Sequence, residues 1–569
     1  MFKTDVKGSK LVRVSRLGYA AALQLGMCLL VTGQVAAQRL DGPEQRVLIR
    51  WKRDVNASQA TAANALANAR ARFGMGMTTL RRMVMGSDVV RLERRMSAAE
   101  LKTLMATLRQ DPAVESVEED LLLQPMFTPN DPQYSSQWHY YEPTGGLNLP
   151  AAWDLSTGSG ISVAVIDTGY SSHADLGVNV RTGLFNGFDF ITDPFIANDG
   201  GGRDTDPFDT GDARSAGQCP APYQLASSSS WHGTHVAGTI VAMGNNGAGV
   251  TGVAFNARVI PIRALGRCGA QASDVIEAIA WAAGIPVNGV PANPYPAKVI
   301  NLSLGIEAPC PAAGQAVIDA ARARGAVIVV AAGNDNKNAA SFTPANCAGV
   351  ITVAATTRTG DKAYYSNTGT NVDVAAPGGD MRASIANGVL STFNAGASGP
   401  GGAAYGWKEG TSMAAAHVSG VAALMMSRNS QLQPDEVESG LKTTRRTFPG
   451  SCSLCGTGIV DAFAAVKRAA PLVPGVAVTG LSAPIGTEMH FTMTVPAGAT
   501  VQFAATGAAG DSDLYVRAGA VPNVTTFDCR PYFGAIDELC TFTAAVTTTY
   551  HVMIRAYGAF SGLSLRGSY

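Results

Sequence analysis

The sequence predicts an α/β fold, in which helices flank a mostly parallel sheet, with a small α+β unit before it and an all-β sandwich after it. Three observations lead to this prediction. Apolar strand patterns alternate with helical stretches in residues 127–470, short apolar runs surround one helical stretch in residues 38–126, and short alternating Thr, Val and Ala runs fill residues 476–569. Alternating strands and helices are typical of a parallel sheet with helical crossovers.

Six apolar segments supply the strands of the predicted central sheet: ISVAVID, ARVIPIRAL, AKVINLSL, AVIVVAAG, VITVAAT and NVDVAAP. Helical stretches such as Ser273–Ala283 and Gly314–Arg324 lie between them. The run Met413–Met426 is apolar on every face, which predicts a helix that is buried on all sides. In sheets of this kind, ligand chemistry gathers at the carboxyl ends of the strands.

Residues 1–37 have the pattern of a secretory signal peptide. Basic residues precede an apolar segment, residues 17–31, and small residues lead to a cleavage site expected after Ala37. The apolar segment is too short to span a bilayer comfortably. We therefore expect a secreted, extracellular protein without stable membrane association.

Composition limits the classes of function. The chain has 569 residues and is 46% hydrophobic, which is enough for several domains. Its 43 basic and 43 acidic side chains balance, which argues against a dedicated nucleic-acid binder. The first 126 residues are net basic and the remainder net acidic, so the N-terminal unit could associate electrostatically with the chain that follows.

The cysteines predict disulfides. Removal of Cys28 with the signal peptide leaves eight cysteines, an even number in an exported chain. Their pairing is left open by the sequence. Cys452 and Cys455 of the CSLC segment could alternatively be a redox dithiol or half of a zinc site, although neither a second CxxC nor a nearby histidine completes a metal shell.

Three polar residues stand at strand ends or helix starts. Asp167 closes the strand VAVID, His232 lies in SSWHGTHVAGTI, and Ser412 in EGTSMAAAHVSG begins the buried helix. A serine hydroxyl becomes a useful nucleophile when an imidazole takes its proton and a carboxylate orients that imidazole. The start of the helix and the amide of Asn334 would then stabilise the oxyanion.

Each of these residues also has an ordinary structural explanation. Asp167 and Ser412 could cap helices, His232 could be a packing residue, and Asn334 could form a Gly-Asn turn. Their occurrence together in one chain favours the catalytic explanation.

Four motifs in order, VAVIDTG, SSWHGTHVAGT, VVAAGND and EGTSMAAAHVSG, resemble those of the subtilisin-like serine proteases. The resemblance covers residues 130–469. It implies a serine endopeptidase that hydrolyses extracellular proteins and peptides through an acyl-enzyme intermediate and acts as a monomer. Asp167 would orient the base His232, Ser412 would be the nucleophile, and Asn334 would donate to the oxyanion.

The same resemblance implies how substrate binds and how the enzyme matures. Substrate would pair with the backbone of Leu302, Ser303, Leu304 and Gly305, and Asp335 at the rim could favour a basic side chain before the cleaved bond. Residues 38–126 resemble a propeptide, an intramolecular inhibitor that the enzyme itself removes near Met126.

Residues 476–569 resemble the bacterial pre-peptidase C-terminal domain, most clearly in GDSDLYVRAG. Substrate binding, assistance in secretion and removal by proteolysis are all compatible with this unit. The sequence leaves these roles open.

Two structural Ca²⁺ sites are predicted. One is an acidic loop whose carboxylates would repel one another without a cation, although a solvated surface loop is the alternative; its members are Asp204, Asp206, Asp209 and Asp212. The second is implied by the family resemblance and would use side-chain and carbonyl oxygens; its members are Asp175, Asn246, Gly244, Ala248 and Val250, with Asp131 as a weaker candidate.

Two other classes of function are less consistent with the sequence. Asp-Thr-Gly occurs at Asp167 and again at Asp209, as in aspartic proteases, but no apolar strand leads into the second copy. A catalytically inactive relative that serves as a binding module would lack a triad member, and this sequence has all three.

Overall fold

The computed structural model describes residues 44–52, 59–120, 127–180, 187–221, 223–531 and 537–569. The contacts divide the chain into two units, Met1–Pro125 and Met126–Tyr569, and each is described by itself. The predicted signal peptide and the predicted processing site near Met126 lie outside the described residues.

The N-terminal unit is α+β, as its alternating pattern predicts. Its elements are β1 Arg46–Trp51, α1 Gln59–Phe73, β2 Met77–Arg82, β3 Ser87–Leu92, α2 Ala98–Arg109 and β4 Val114–Glu119. The strands form one antiparallel sheet in the order β2-β3-β1-β4. Ser97 and Glu100 form a capping box at the start of α2, which satisfies backbone N–H groups that the helix itself cannot.

The second unit begins with the α/β region. Its elements are α3 Trp138–Tyr141, α4 Pro150–Trp153, β5 Ser162–Asp167, β6 Phe188–Asp189, α5 Pro194–Ala197, α6 His232–Val241, β7 Arg258–Arg263, α7 Ala272–Ala282, β8 Val299–Leu302, β9 Ile306–Glu307, α8 Ala312–Ala323, β10 Val327–Ala331, β11 Phe342–Thr343, β12 Ile351–Thr356, β13 Val374–Pro377, β14 Val389–Asn394, β15 Ala403–Lys408, α9 Thr411–Arg428, α10 Pro434–Thr444 and α11 Ala462–Arg468. Short 3₁₀ turns lie at Tyr134–Ser136, Gly177–Asn179, Ala339–Ser341 and Ile385–Asn387.

The central sheet is parallel and buried on both faces. Its strand order is β13-β12-β10-β8-β5-β7-β6. Alternate residues of β5 serve the two cores: Val163 and Val165 pack with α6 and α9, whereas Ala164 and Ile166 pack with α7 and α8. This confirms the predicted helix–sheet–helix layering, and it places the carboxyl ends of β5, β8 and β10 along one edge.

The long helix α9 is buried throughout its first sixteen residues, from Thr411 to Met426. Its small side chains allow close packing, and at Gly420 an added Cβ would lie 2.5 Å from the Cβ of Val253. The prediction of a helix buried on all sides is confirmed.

The C-terminal part of the second unit is all-β, as predicted. Its strands are β16 Ala477–Ala483, β17 Glu488–Val495, β18 Thr500–Thr506, β19 Ala509–Ala518, β20 Glu538–Thr543 and β21 Thr548–Ser568. The first half of the long strand β21 pairs with β17 and with most of β19. The second half pairs with β16 and β18. These strands enclose a separate apolar core that includes Phe491, Phe503 and Ile554.

The eight cysteines that follow Cys28 form four disulfides, which confirms the predicted oxidised state. The pairs are Cys219–Cys268, Cys310–Cys347, Cys452–Cys455 and Cys529–Cys540. The CSLC cysteines are therefore bonded to each other. In the part of the chain that the structure describes, each helix is too short or too polar to cross a membrane.

Candidate active site

Asp167 and His232 meet at the carboxyl edge of the sheet. Asp167 is the last residue of β5 and is fully buried, and His232 is the first residue of α6. The Nδ1 atom of His232 lies 2.8 Å from Oδ1 and 2.9 Å from Oδ2 of Asp167. An imidazole that donates from Nδ1 keeps Nε2 free to accept a proton, so this pair has the arrangement of a general base and its orienting carboxylate.

The contact between α6 and β5 depends on a glycine. A Cβ at Gly233 would lie 2.2 Å from the carbonyl oxygen of Gly169 and 3.2 Å from Cβ of Asp167. The absence of a side chain at this position lets the start of α6 approach the end of β5 closely enough for the His232–Asp167 hydrogen bond.

Ser412 is the second residue of α9 and is not its N-cap. The N-cap is Gly410, whose φ of 152° is one that L-residues rarely adopt. The Ser412 hydroxyl donates to the carbonyl oxygen of Ser303 at 3.2 Å, and the Ser303 hydroxyl donates to the carbonyl oxygen of Ser412 at 3.0 Å. The helix-cap alternative for Ser412 is therefore wrong, and the side chain contacts the end of β8 instead.

Asn334 lies beside the start of α9. Its Oδ1 accepts hydrogen bonds from the backbone N–H and from the hydroxyl of Thr411, both at 2.9 Å. This leaves the Nδ2 group of the exposed Asn334 side chain for another acceptor. The N–H of Ser412 likewise has no acceptor within the described residues, so two donors stand beside the hydroxyl.

A cavity of about 530 Å³ brings these groups together. His232, Asn334 and Ser412 line it, as do Ser303, Leu304, Gly305 and Asp335 from the predicted substrate-binding set. Two disulfide-bonded cysteines line the cavity: Cys268, which is bonded to Cys219, and Cys347, which is bonded to Cys310.

Leu302 is not among the residues that line the cavity, and its role in substrate binding stays a prediction. It is fully buried as the last residue of β8, where it lies between Ile166 of β5 and Val330 of β10 in the sheet register. Its backbone is committed to the sheet, whereas the chain leaves the sheet at Ser303 and becomes exposed at Gly305.

The carboxylates of the acidic loop already accept hydrogen bonds within the protein, and the calcium site there stays a prediction. Its four carboxylates accept hydrogen bonds from different groups: Asp204 from the N–H of Asp206, Asp206 from that of Phe208, Asp209 from Thr168 and Gly211, and Asp212 from Ser230. Among the described residues, no group of three or more His, Cys, Asp or Glu side chains is arranged to hold a metal ion.

A buried arginine supplies positive charge behind this loop. Arg263, at the end of β7, is 1% exposed and forms ion pairs with Asp189 and with Asp199, the latter at 2.7 Å. The pKa of Asp209 is raised to about 7, because the effect of burial outweighs that of the hydrogen bond from Thr168, which lowers the pKa. Local hydrogen bonds and Arg263 therefore offset part of the negative charge of this loop.

The second predicted calcium loop fits a hard cation better. Asp175 accepts from Nδ2 of Asn246 and from the N–H of Val250, both at 2.8 Å, and Asp131 accepts from the N–H of Asn245 at 2.7 Å. Burial raises the pKa of both carboxyl groups, and the charge of Asp131 raises that of Asp175 further. A divalent cation would relieve this repulsion, and the loop carbonyls and the Asn246 amide could supply neutral oxygens.

Sequence reasoning missed Thr168 and Ser230. The N–H of Thr168 donates to Oδ1 of Asp167 at 2.7 Å, and the hydroxyl of Ser230 accepts from the N–H of His232 at 3.3 Å. A hydroxyl residue directly after Asp167, and another two positions before His232, are the signals that could have identified them.

Comparison with known proteins agrees with this arrangement. Residues 158–458, more than half of the chain, match the Subtilase family, and residues 489–556 match the bacterial pre-peptidase C-terminal domain. A protease structure from Pseudoalteromonas arctica is 55% identical, with a TM-score of 0.59, over 60% of this chain and 100% of that chain.

Curated relatives match over most of their length. An extracellular protease of Xanthomonas campestris pv. campestris is 48% identical over 527 residues, which is 90% of this chain and 88% of the relative. An extracellular basic protease of Dichelobacter nodosus is 40% identical over 435 residues, which is 74% of this chain and 70% of the relative. With the family match, the shared architecture and these identities, the chain belongs to the Subtilase family of serine proteases.

Proposed function

We propose that this protein is a secreted serine endopeptidase that cleaves extracellular proteins with Asp167, His232 and Ser412 and removes its own propeptide. The observation that carries the proposal is the 2.8 Å contact between His232 and Asp167 in a cavity that Ser412 also lines. The extracellular location follows the relatives, whose names describe extracellular proteases.

The chemistry follows from these positions. The hydroxyl of Ser412 leaves the Ser303 carbonyl, gives its proton to Nε2 of His232, and its oxygen attacks the substrate carbonyl carbon. The developing oxyanion accepts hydrogen bonds from the Ser412 N–H and from Asn334, at the positive end of α9. His232 then protonates the leaving amine, and water hydrolyses the acyl-enzyme with His232 again as base.

Substrate would lie extended along Ser303, Leu304 and Gly305, where the chain leaves the sheet. Asp335 at the rim is exposed and adjacent to Asn334, so it would favour a basic side chain before the cleaved bond. Residues 38–126 would act as the intramolecular inhibitor until they are removed near Met126, and the mature enzyme would act as a monomer.

The decisive experiment is Ser412→Ala, expressed in a host without extracellular proteases. Activity should collapse to the residual catalysis of binding and the oxyanion donors, roughly 10³ to 10⁴ over water. The variant should accumulate as a folded precursor that begins near Gln38, as determined by N-terminal sequencing and intact mass.

Ser427→Ala is the matched control, because Ser427 also lies on α9 and its hydroxyl donates to the carbonyl oxygen of Ser159 at 2.8 Å, away from the cavity. It should mature and digest casein normally. A Ser412→Ala protein that trims itself and digests casein would exclude Ser412 as the nucleophile.

We further propose that Ca²⁺ binds at Asp175, Asn246 and the carbonyls of Gly244, Ala248 and Val250, with Asp131 nearby. Ions that bind only the folded protein stabilise it, so exhaustive chelation should lower the melting temperature of the wild type. Asp175→Asn should lower the melting temperature and abolish its response to chelation, whereas Asp193→Asn, in the cap of α5, should keep that response. An unchanged melting temperature after chelation of the wild type would remove this site.

A further inference from the structure

Helix α6, which carries His232, begins without a side-chain cap of its own. Its N-cap residue, Trp231, has a φ of 48° and makes no capping hydrogen bond. The first N–H groups of a helix lack partners within the helix and must find them elsewhere. Here the N–H of His232 donates to the hydroxyl of Ser230 at 3.3 Å, and the N–H of Gly233 donates to the hydroxyl of Thr168 at 2.9 Å.

Each of these hydroxyls is held in turn by a carboxylate of the acidic loop. Thr168 donates to Oδ2 of Asp209 at 2.7 Å, and Ser230 donates to Oδ2 of Asp212 at 2.7 Å. Because a hydroxyl has a single proton, the bond to the carboxylate commits that proton and turns an oxygen lone pair toward the helix N–H. Two relays of the same kind, carboxylate to hydroxyl to N–H, therefore fix the first two residues of α6.

Both carboxylates are themselves held. The other oxygen of Asp209 accepts from the N–H of Gly211 at 2.8 Å, and that of Asp212 accepts from the N–H of Ser230 at 2.5 Å. Asp209 and Thr168 are 1% and 3% exposed, so water cannot readily replace this hydrogen bond. Asp204 and Asp206, by contrast, accept from N–H groups of their own loop.

We propose that Asp209 with Thr168, and Asp212 with Ser230, are positioning residues that set the catalytic imidazole of His232. The inference rests on the proposed function, in which His232 is the base. Thr168 has a double role, because its N–H donates to Asp167 while its hydroxyl holds the helix that carries His232. The acidic loop thus acts on the triad through hydrogen bonds.

The test is Thr168→Val, which removes the hydroxyl and keeps the branched shape. A misplaced base lowers kcat, and misplacements of this kind cost roughly ten- to a hundredfold. KM for a short peptide should change little, because Thr168 and Asp209 are not among the residues that line the cavity. Thr168→Ser keeps the hydroxyl and should restore most of kcat.

Asp209→Asn provides a second route to the same relay. A carboxylate accepts from both Thr168 and Gly211, whereas an amide turns its NH₂ group toward one of these donors and breaks one bond. The matched control is Asp361→Asn, because Asp361 also accepts from one hydroxyl, Thr359 at 2.8 Å, and one backbone N–H, Ser451 at 2.9 Å, outside the cavity lining. Its kcat should stay within about twofold of the wild type.

Active-site titration with a serine-directed covalent reagent measures the concentration of folded enzyme, so that kcat can be expressed per titrated site. The inference holds if kcat per titrated site falls in Thr168→Val and Asp209→Asn and recovers in Thr168→Ser. It is overturned if both variants match Asp361→Asn, or if the loss lies in KM or in the fraction of folded enzyme alone. Activity in Ser412→Ala would instead refute the proposed function, so the two failures are distinguishable.

Discussion

His139 and His417 form a fully buried hydrogen-bonded pair. His417 lies on α9, close in sequence to Ser412. Nδ1 of His417 lies 2.8 Å from the carbonyl oxygen of Pro377, to which it must donate, so Nε2 of His417 accepts from Nδ1 of His139 at 2.9 Å. Both rings are therefore neutral. His417, like His235, is fully buried.

We expect this pair to make the protein sensitive to acid. Burial lowers the pKa of His417 from 6.5 to about 4, and burial together with the nearby His417 and His235 lowers that of His139 well below 6.5. The unfolded chain binds these protons near pH 6.5, whereas the folded chain binds that of His417 only near pH 4 and that of His139 well below pH 6.5. The free energy of unfolding should therefore decrease as the pH falls through this interval, by roughly 3 kcal/mol from His417.

Denaturant unfolding of Ser412→Ala, which avoids self-digestion, measures this dependence at pH 7 and pH 4.5. Adding His417→Gln should make the dependence shallower, because glutamine does not titrate. Equal unfolding free energies of the Ser412→Ala protein at the two pH values would contradict the assignment.

At the scale of elements, the site depends on how closely α6 approaches β5. Gly233→Ala would place a Cβ 2.2 Å from the carbonyl oxygen of Gly169 and push the helix start away from Asp167. We expect kcat on a short peptide to fall by about a hundredfold. Gly402→Ala, where an added Cβ meets nothing within 4 Å, should behave as the wild type. A fully active Gly233→Ala enzyme would show that the close approach is dispensable.

The elements that carry the site were predictable because local patterns determine them. Apolar runs that end in a polar residue place Asp167 at the end of β5 and Asn334 just after β10, and the apolar run after Ser412 predicts α9. Local pattern does not show that Leu302 is the last residue of β8 and that the chain leaves the sheet after it.

Contacts between distant segments were beyond the sequence. Nothing in the pattern of the acidic loop indicates that Arg263, more than fifty residues later, lies behind it. The bond from Ser412 to the carbonyl of Ser303 and the relays through Thr168 and Ser230 likewise join separate segments. Such contacts depend on the path of the whole chain rather than on any spacing within a motif.

At the scale of the whole molecule, the C-terminal β region packs directly on the α/β region within the second unit. Nδ1 of His551 in β21 lies 2.8 Å from Oε1 of Glu436 in α10, and both side chains are buried. Asn429 also donates to Thr492 at 2.8 Å, and Ser439 to the carbonyl oxygen of Glu488 at 2.6 Å. His551 therefore lies in the contact between the two regions.

His551→Phe should destabilise the second unit as a whole. It leaves the Glu436 carboxylate buried with one partner fewer, which costs about 1 to 3 kcal/mol. Thr549→Val in the same strand removes an exposed hydroxyl contact to Thr494 and should cost less than about 0.5 kcal/mol. Melting temperatures of both variants in the Ser412→Ala background decide the matter, and equal values would show that the buried contact adds no stability.

The two cystines in the cavity walls have a consequence for the order of events in the life of the enzyme. Cys219–Cys268 ties together the chain segments on one side of the cavity, and Cys310–Cys347 ties the start of α8 to the turn after β11. Protein folded in a reducing cytoplasm would have Asp167, His232 and Ser412 but neither tie. The cavity would therefore acquire its fixed walls only where disulfides form, outside a reducing cytoplasm.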